Sequence, residues 1–317
     1  MARSLLGAAL ILTLGGIAWV KLNGITMSSP PVAKPAPYPT CLRSWQFDRQ
    51  IRSQADQAMD DRLLIVSITE ADMQQLGRWP FSDQTYADLL TELQRHQPAV
   101  IGLSIFKDIA IPPGSAALEK QLQRSSVILA VLLKEDYSSY AVPPRSGVPE
   151  QRTGFVNLMV DRDGVVRRNL IFAPDPQLFQ SFSWQLATHY LKRQNIVPQV
   201  SRRDAQILQL GAMVLPPLRR SCAETAPTLT GYQIPLYYRT SGPIARQVTF
   251  TQVLKKQVTP AWVKDKVVII GVADPTFHDL ANTPYADPKG DRGRRRMYGV
   301  ELQAQMVSQL LSATLGF

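Results

Sequence analysis

The residues of this chain with the most chemical potential sit at the ends of three apolar runs. Thr69, Glu70 and Asp72 follow RLLIVSI (62–68), Lys107 and Asp108 follow AVIGLSI (99–105), and Asp274, His278 and Asp279 follow VVIIGV (267–272). Carboxylates, an amine and an imidazole in such a set suit the binding of a small charged molecule, with Trp79 as an apolar wall. The ligand-binding set read from sequence is therefore Glu70, Asp72, Trp79, Lys107, Asp108, Asp274 and His278. The competing reading is that polar residues end most strands because loops meet water. No catalytic constellation emerges, since G-x-S-x-G, H-E-x-x-H, the Walker loop and G-x-G-x-x-G are absent from the sequence. Without a nameable nucleophile, base and orienting group, the chain is expected not to be an enzyme. Three histidines and two cysteines offer no metal-ligand spacing, so neither a metal nor another cofactor is expected. His96 and His189 read as structural residues on helices.

These clusters need a scaffold, and the sequence supplies one. The runs 62–68 and 99–105 are strand-length and continuously apolar, as buried parallel strands are. Between them Ser82 offers an N-cap to a segment with Tyr86, Leu89, Leu90 and Leu93 at helical spacing. That makes a βαβ unit with a right-handed crossover. A helix near 116–124 and a strand at 127–133 extend the alternation. Beyond Pro143 the texture turns antiparallel, with strands at 155–160 and 165–173 around an Asp163-Gly164 turn, a helix at 183–191, and strands at 207–215 and 232–239. The run 267–272 is one more buried strand, and if it pairs beside the first two, the three polar clusters meet at their carboxyl ends. Val300, Val307, Leu310, Leu311 and Leu315 mark a closing amphipathic helix. The fold class is α/β, a mixed, partly parallel sheet with flanking helices, preceded by one N-terminal transmembrane helix.

That last element rests on residues 5–20 (LLGAALILTLGGIAWV), which are uncharged between Arg3 and Lys21. The run is longer than the apolar core of about 7–15 residues of most signal peptides and near the roughly 17–25 a spanning helix needs. Both readings stand, and the lack of an A-x-A site after Val20 favours an uncleaved anchor. Five prolines between Pro30 and Pro39 form an extended spacer. The expected organisation is an anchor at 1–23, a proline-rich stalk at 24–41 and an α/β domain at 42–317. The bulk would be periplasmic or lumenal, where Cys41 and Cys222 could form a disulfide or remain two free thiols. With 45% hydrophobic residues the 317-residue chain is not disordered. Its formal charge of +10 is assigned to a membrane-facing or partner-facing surface rather than to nucleic acid. The densest basic run is KGDRGRRR (289–296), so Arg292, Arg294, Arg295 and Arg296 are the expected contacts with anionic headgroups or an acidic partner, the alternative being a solvated loop.

The order LLIVSITEADMQQLGRWPFSDQTYADLLTELQ, PAVIGLSIFKD, GVVRRNLIF, KDKVVIIGVA and YGVELQAQMVSQLL resembles the second type of the CHASE domains, above all its cyanobacterial branch. Gly77 to Pro80 (G-x-WP) and Gly299 to Glu301 (GVE) are the most specific pieces, and the resemblance runs from about Leu42 onward. It implies an extracytoplasmic ligand-sensing domain behind one membrane anchor, of the kind joined to cyclases and histidine kinases. This chain has Ser104 and Gln303 where the family often carries Asp and His. No effector segment follows the closing helix in the sequence, so the expected action is through another membrane or signalling protein. The alternative is a sensor-derived accessory subunit of a membrane complex.

Overall fold

The computed structural model describes residues 44–77, 79–135, 140–173, 179–202, 204–218, 231–277, 279–285 and 296–312, together with the backbone of 13–14, 17–22 and 25–28. Three short strands, β1 (Thr13–Leu14), β2 (Ile17–Leu22) and β3 (Ile25–Ser28), pair antiparallel in chain order. Leu14 pairs with Ile17 and Leu22 with Ile25, so each connection is two residues long. The sequence places Gly15-Gly16 and Asn23-Gly24 there, pairs that two-residue hairpins favour. This differs from the expected transmembrane helix. Turn chemistry and the β-branched Thr13, Ile17, Val20, Ile25 and Thr26 compete with the apolar run for the local structure. Among the described residues no helix is long and apolar enough to cross a membrane.

The larger body starts with α1 (Ser44–Ser53), which buries Phe47 and Ile51 one turn apart. β4 (Leu63–Ile68) is buried at every position. α2 (Glu70–Leu76) is capped by Thr69 and α3 (Asp83–Arg95) by Ser82, as its sequence position suggests. β5 (Val100–Ser104), α4 (Ser115–Leu122), β6 (Val127–Val131) and β7 (Thr153–Phe155) complete the first half. An antiparallel excursion follows: β8 (Met159–Val160), β9 (Val166–Ala173), β10 (Phe179–Gln180), α5 (Phe182–Lys192), β11 (Pro198–Val200), β12 (Leu208–Leu210), β13 (Met213–Leu215) and β14 (Tyr232–Pro235). The chain then returns through β15 (Arg246–Thr249), α6 (Phe250–Leu254), α7 (Pro260–Val263) and β16 (Val267–Val272). β17 (Leu280–Asn282), β18 (Arg296–Tyr298) and α8 (Gly299–Ser312) close it.

The central sheet has the order β15-β4-β16-β5-β6-β7 and is parallel throughout. Side chains alternate across it. Leu64, Val66, Ile101, Leu103, Val268 and Ile270 meet α3, α4, α6 and α7 on one face. Leu63, Ile65, Val100, Val267 and Ile269 meet α5 and α8 on the other. The crossovers β4 to β5, β5 to β6 and β15 to β16 all step the same way along the sheet. Right-handed crossovers in one direction put their helices on one face, and α3, α4, α6 and α7 do share one. Two glycines let the opposite layer approach. A Cβ on Gly102 would stand 2.5 Å from Phe182 Cζ of α5, and one on Gly271 would stand 2.7 Å from Val300 Cβ of α8. The antiparallel strands β10, β9 and β14, with β8 also on β9, form a second sheet, and β11 to β13 form a small meander.

Candidate functional site

β16 lies between β4 and β5, so the loops carrying the three polar clusters leave neighbouring strands at one edge. Adjacency does not make all the residues available. Asp72 is buried and held by four donors. Its Oδ2 accepts from Thr69 N (2.8 Å) and Thr69 Oγ1 (2.7 Å), and its Oδ1 accepts from Thr251 N (2.8 Å) and Thr251 Oγ1. Burial alone would raise its pKa, but the bonds from Thr251 and Thr69 outweigh it and hold the carboxyl below its ordinary range. Asp72 thus closes the capping box of α2 and ties that helix to α6. Asp274 is buried as well and accepts from Thr276 N (2.8 Å) and Thr276 Oγ1 (2.6 Å), which shapes the loop after β16.

Lys107 belongs to a cluster that sequence reasoning did not assemble. Its Nζ lies 2.7 Å from Asp83 Oδ1, with the two side chains 2% and 0% exposed. Asp83 Oδ2 meets Arg145 Nη2 at 3.0 Å and accepts from Ser115 Oγ at 3.0 Å. Arg145 also reaches Glu119 at 3.3 Å, and Lys107 lies 4.8 Å from the centre of the Tyr86 ring. Burial disfavours a charged Asp83, yet Lys107, Ser115 and Arg145 prevail and lower its pKa. Burial and the Asp83 charge push the Tyr86 hydroxyl up. One carboxylate therefore pins the loop after β5, the start of α4 and the segment around Arg145 to the first turn of α3. In the sequence Asp83 passes for a first-turn helix acid, and nothing there points to Arg145.

The outward-facing members are Glu70, which accepts from Gln74 Nε2 (3.0 Å), the half-buried Asp108, and Trp79. Trp79 packs edge-on against Phe81 (5.1 Å) and Phe277 (5.3 Å), so its ring spans the loops after β4 and β16. Phe106 and Ile109 are exposed in the loop after β5. The described part of this edge is thus an aromatic and aliphatic rim with carboxylates at its margin. His278 lies outside the described residues, as do Cys41, Cys222, Arg292, Arg294 and Arg295. Arg296 is described and stands exposed at the start of β18. Among the described residues no group of acidic, histidine or cysteine side chains is arranged to hold a metal ion.

A second charged cluster joins α1 to the antiparallel sheet. Arg167 forks onto Asp48 of α1 (2.6 and 2.8 Å) and also contacts Asp161 (2.8 Å) and Asp163 (2.6 Å). Arg168 pairs with Asp161 and donates to Gln233 (3.0 Å). Burial opposes the Arg167 charge, but the three carboxylates more than offset it and raise its pKa. Beneath this pairing Phe47 and Ile51 share one apolar cluster with Val166, Leu236, Tyr238, Met297, Leu302 and Met306. α1 and α8 thus meet in a common core. The start of α8 has its own logic. Gly299 leaves room for the Asp279 carboxylate, whose Oδ2 would be 2.5 Å from an added Cβ, and Val300 seats on Gly271. Glu301 accepts from Tyr298 N (3.0 Å) and from Gln247 Nε2 (3.2 Å).

A family model described as the CHASE2 domain matches residues 32–316. No curated protein and no solved structure matches the chain.

Proposed function

The chain belongs to the CHASE2 domain family, whose members are extracytoplasmic sensory domains, and on that premise we propose that it is a non-catalytic sensory module that works through a partner protein. The observation that carries the reading is the joint between α1 and the rest of the domain. The ion pair of Asp48 with Arg167 and the apolar cluster under it connect the N-terminal helix to β9, β18 and α8. A change in the domain would therefore reach α1, the element next to the proline-rich stalk. The ligand surface in this proposal is the carboxyl edge, with Trp79 as its wall and Glu70, Asp108 and His278 at its margin. Asp72, Lys107 and Asp274 shape that surface from inside.

The apolar stretch at 5–20 delivers the chain to the inner or thylakoid membrane in this reading, with the bulk periplasmic or lumenal. Arg292, Arg294, Arg295 and Arg296 face headgroups or a partner, and Cys41 with Cys222 staples the stalk. A single segment inside a bilayer must satisfy its backbone internally, so there it would be helical rather than paired as β1 and β2. A second reading, an accessory subunit that has lost ligand binding, is favoured by the internal engagement of Asp72, Lys107 and Asp274. Thermal unfolding of the full chain against a broad panel of small charged and aromatic metabolites separates the two. The sensory reading expects a saturable rise in Tm with at least one compound. Cooperative unfolding that no compound shifts supports the subunit reading instead.

A further inference from the structure

We propose that the outer face of α1 rests on the anionic headgroup layer of the membrane. The helix has two unlike sides. Phe47 and Ile51 are buried, and Asp48 is turned to Arg167. Trp45, Arg49 and Arg52 recur at spacings of four and three and stand on the exposed side. Trp45 is 57% exposed, an uncommon position for an indole on a surface with no partner. Tyr237, 41% exposed, flanks it through a ring contact with Phe47 at 5.8 Å. Met59, 49% exposed, lies on the segment that Arg239 holds through Ala58 O (2.7 Å) and Gln57 N (3.1 Å).

Charge and position identify the occupant. Indole and phenol rings beside guanidinium groups match a lipid interface, where an amphipathic ring sits at headgroup depth and arginine meets phosphate. Arg49 has no ion pair among the described residues, and the acids near it are engaged: Asp48 by Arg167 and Asp56 by Ser241. The described residues that flank the basic run lie beside the same helix. Arg52 donates to Pro284 O (2.8 Å) just before it, and Met297, next to Arg296, packs in the cluster that holds Phe47 and Ile51. The proline-rich residues 30–39 span at most about 30 Å in an extended form, at roughly 3.1 Å each. That length keeps α1 within reach of the bilayer that the apolar stretch enters. The inference rests on the membrane placement proposed above and adds a contact surface that the placement alone does not require.

Quenching of tryptophan fluorescence by brominated lipids tests it on the full chain in vesicles of phosphatidylcholine with and without phosphatidylglycerol. Trp19, in the apolar stretch, reports membrane insertion, and Trp45 reports the contact; Trp19→Phe and Trp45→Phe separate their signals. The expected result is quenching of both, with the Trp45 part rising with phosphatidylglycerol, falling with salt and dropping several-fold in Arg49→Glu at an unchanged Trp19 part. Quenching of Trp19 alone overturns the inference and leaves the membrane placement intact. Quenching of neither overturns both. Shielding of Trp45 that depends on protein concentration and not on lipid assigns the face to a second copy and overturns the lipid contact.

Discussion

At the residue scale, two buried aspartates, Asp72 and Asp83, shape the carboxyl edge, and a third, Asp60, bonds Arg62 and Ser308 at the opposite edge, before β4. Asp60, Asp72 and Asp83 all have pKa values below the ordinary 3.8, because hydrogen bonds and cations outweigh the burial that would raise them. A carboxyl whose folded pKa is depressed contributes stability above its unfolded pKa and loses that contribution as pH falls through the folded pKa. Urea unfolding should therefore show stability steady from neutrality to about pH 5 and falling steeply below pH 4. Removing Asp83 should be worse than a surface change, since Lys107 and Arg145 would stay buried without their shared anion. We expect Asp83→Ala to cost about 3–5 kcal/mol in the same measurement and to flatten the acid limb. The sequence showed Lys107 and Asp72 as polar residues in the right place. Their partners Asp83 and Thr251 were illegible there, because a contact across many residues leaves no local pattern.

At the element scale, the parallel strands and their helices were readable and the joints between layers were not. The runs 62–68, 99–105 and 267–272 are buried on both faces, which is why they carry no alternation, and Ser82 caps α3 where its side chain can accept from Thr85 N. The edge strand β15 and the helices α1, α2, α6 and α7 went unread; α2, α6, α7 and β15 have only seven, five, four and four residues, and the longer α1 buries just Phe47 and Ile51, too few positions to set a period. The expectation for residues 5–20 rested on apolar length, and the pairs Gly15-Gly16 and Asn23-Gly24 formed no part of it. Gly102 shows what an element joint demands. Gly102→Ala should push Phe182 and Leu186 away from β5 and cost about 1–3 kcal/mol, read as a drop in urea midpoint at unchanged slope. The α1 joint behaves differently. Arg167→Ala strips a cation from Asp48, Asp161 and Asp163 together, so it should destabilise more than Asp48→Ala. Arg167 holds the Asp163 carboxyl below its ordinary value, so the deficit should shrink as pH falls below about 4 and that carboxyl takes up its proton.

At the scale of the whole molecule, the topology brings the three polar clusters to one edge of the central sheet, since β16 lies between β4 and β5. Doubly wound sheets open a crevice where crossovers reverse direction; here β4 to β5, β5 to β6 and β15 to β16 run one way, and the long connection from β7 to β15, which carries α5 on the opposite face, runs the other. The rim at Trp79 and the joint at Asp48 therefore have to communicate through the sheet and α8, which touches β16 at Gly271 and shares its core with α1. Hydrogen exchange of the full chain, with and without the compound giving the largest rise in Tm, tests that link most directly. The account predicts altered exchange both in the loops after β4, β5 and β16 and in the amides of α1, with the α1 change lost in Asp48→Ala. Protection confined to the loops, with α1 unchanged, would contradict it.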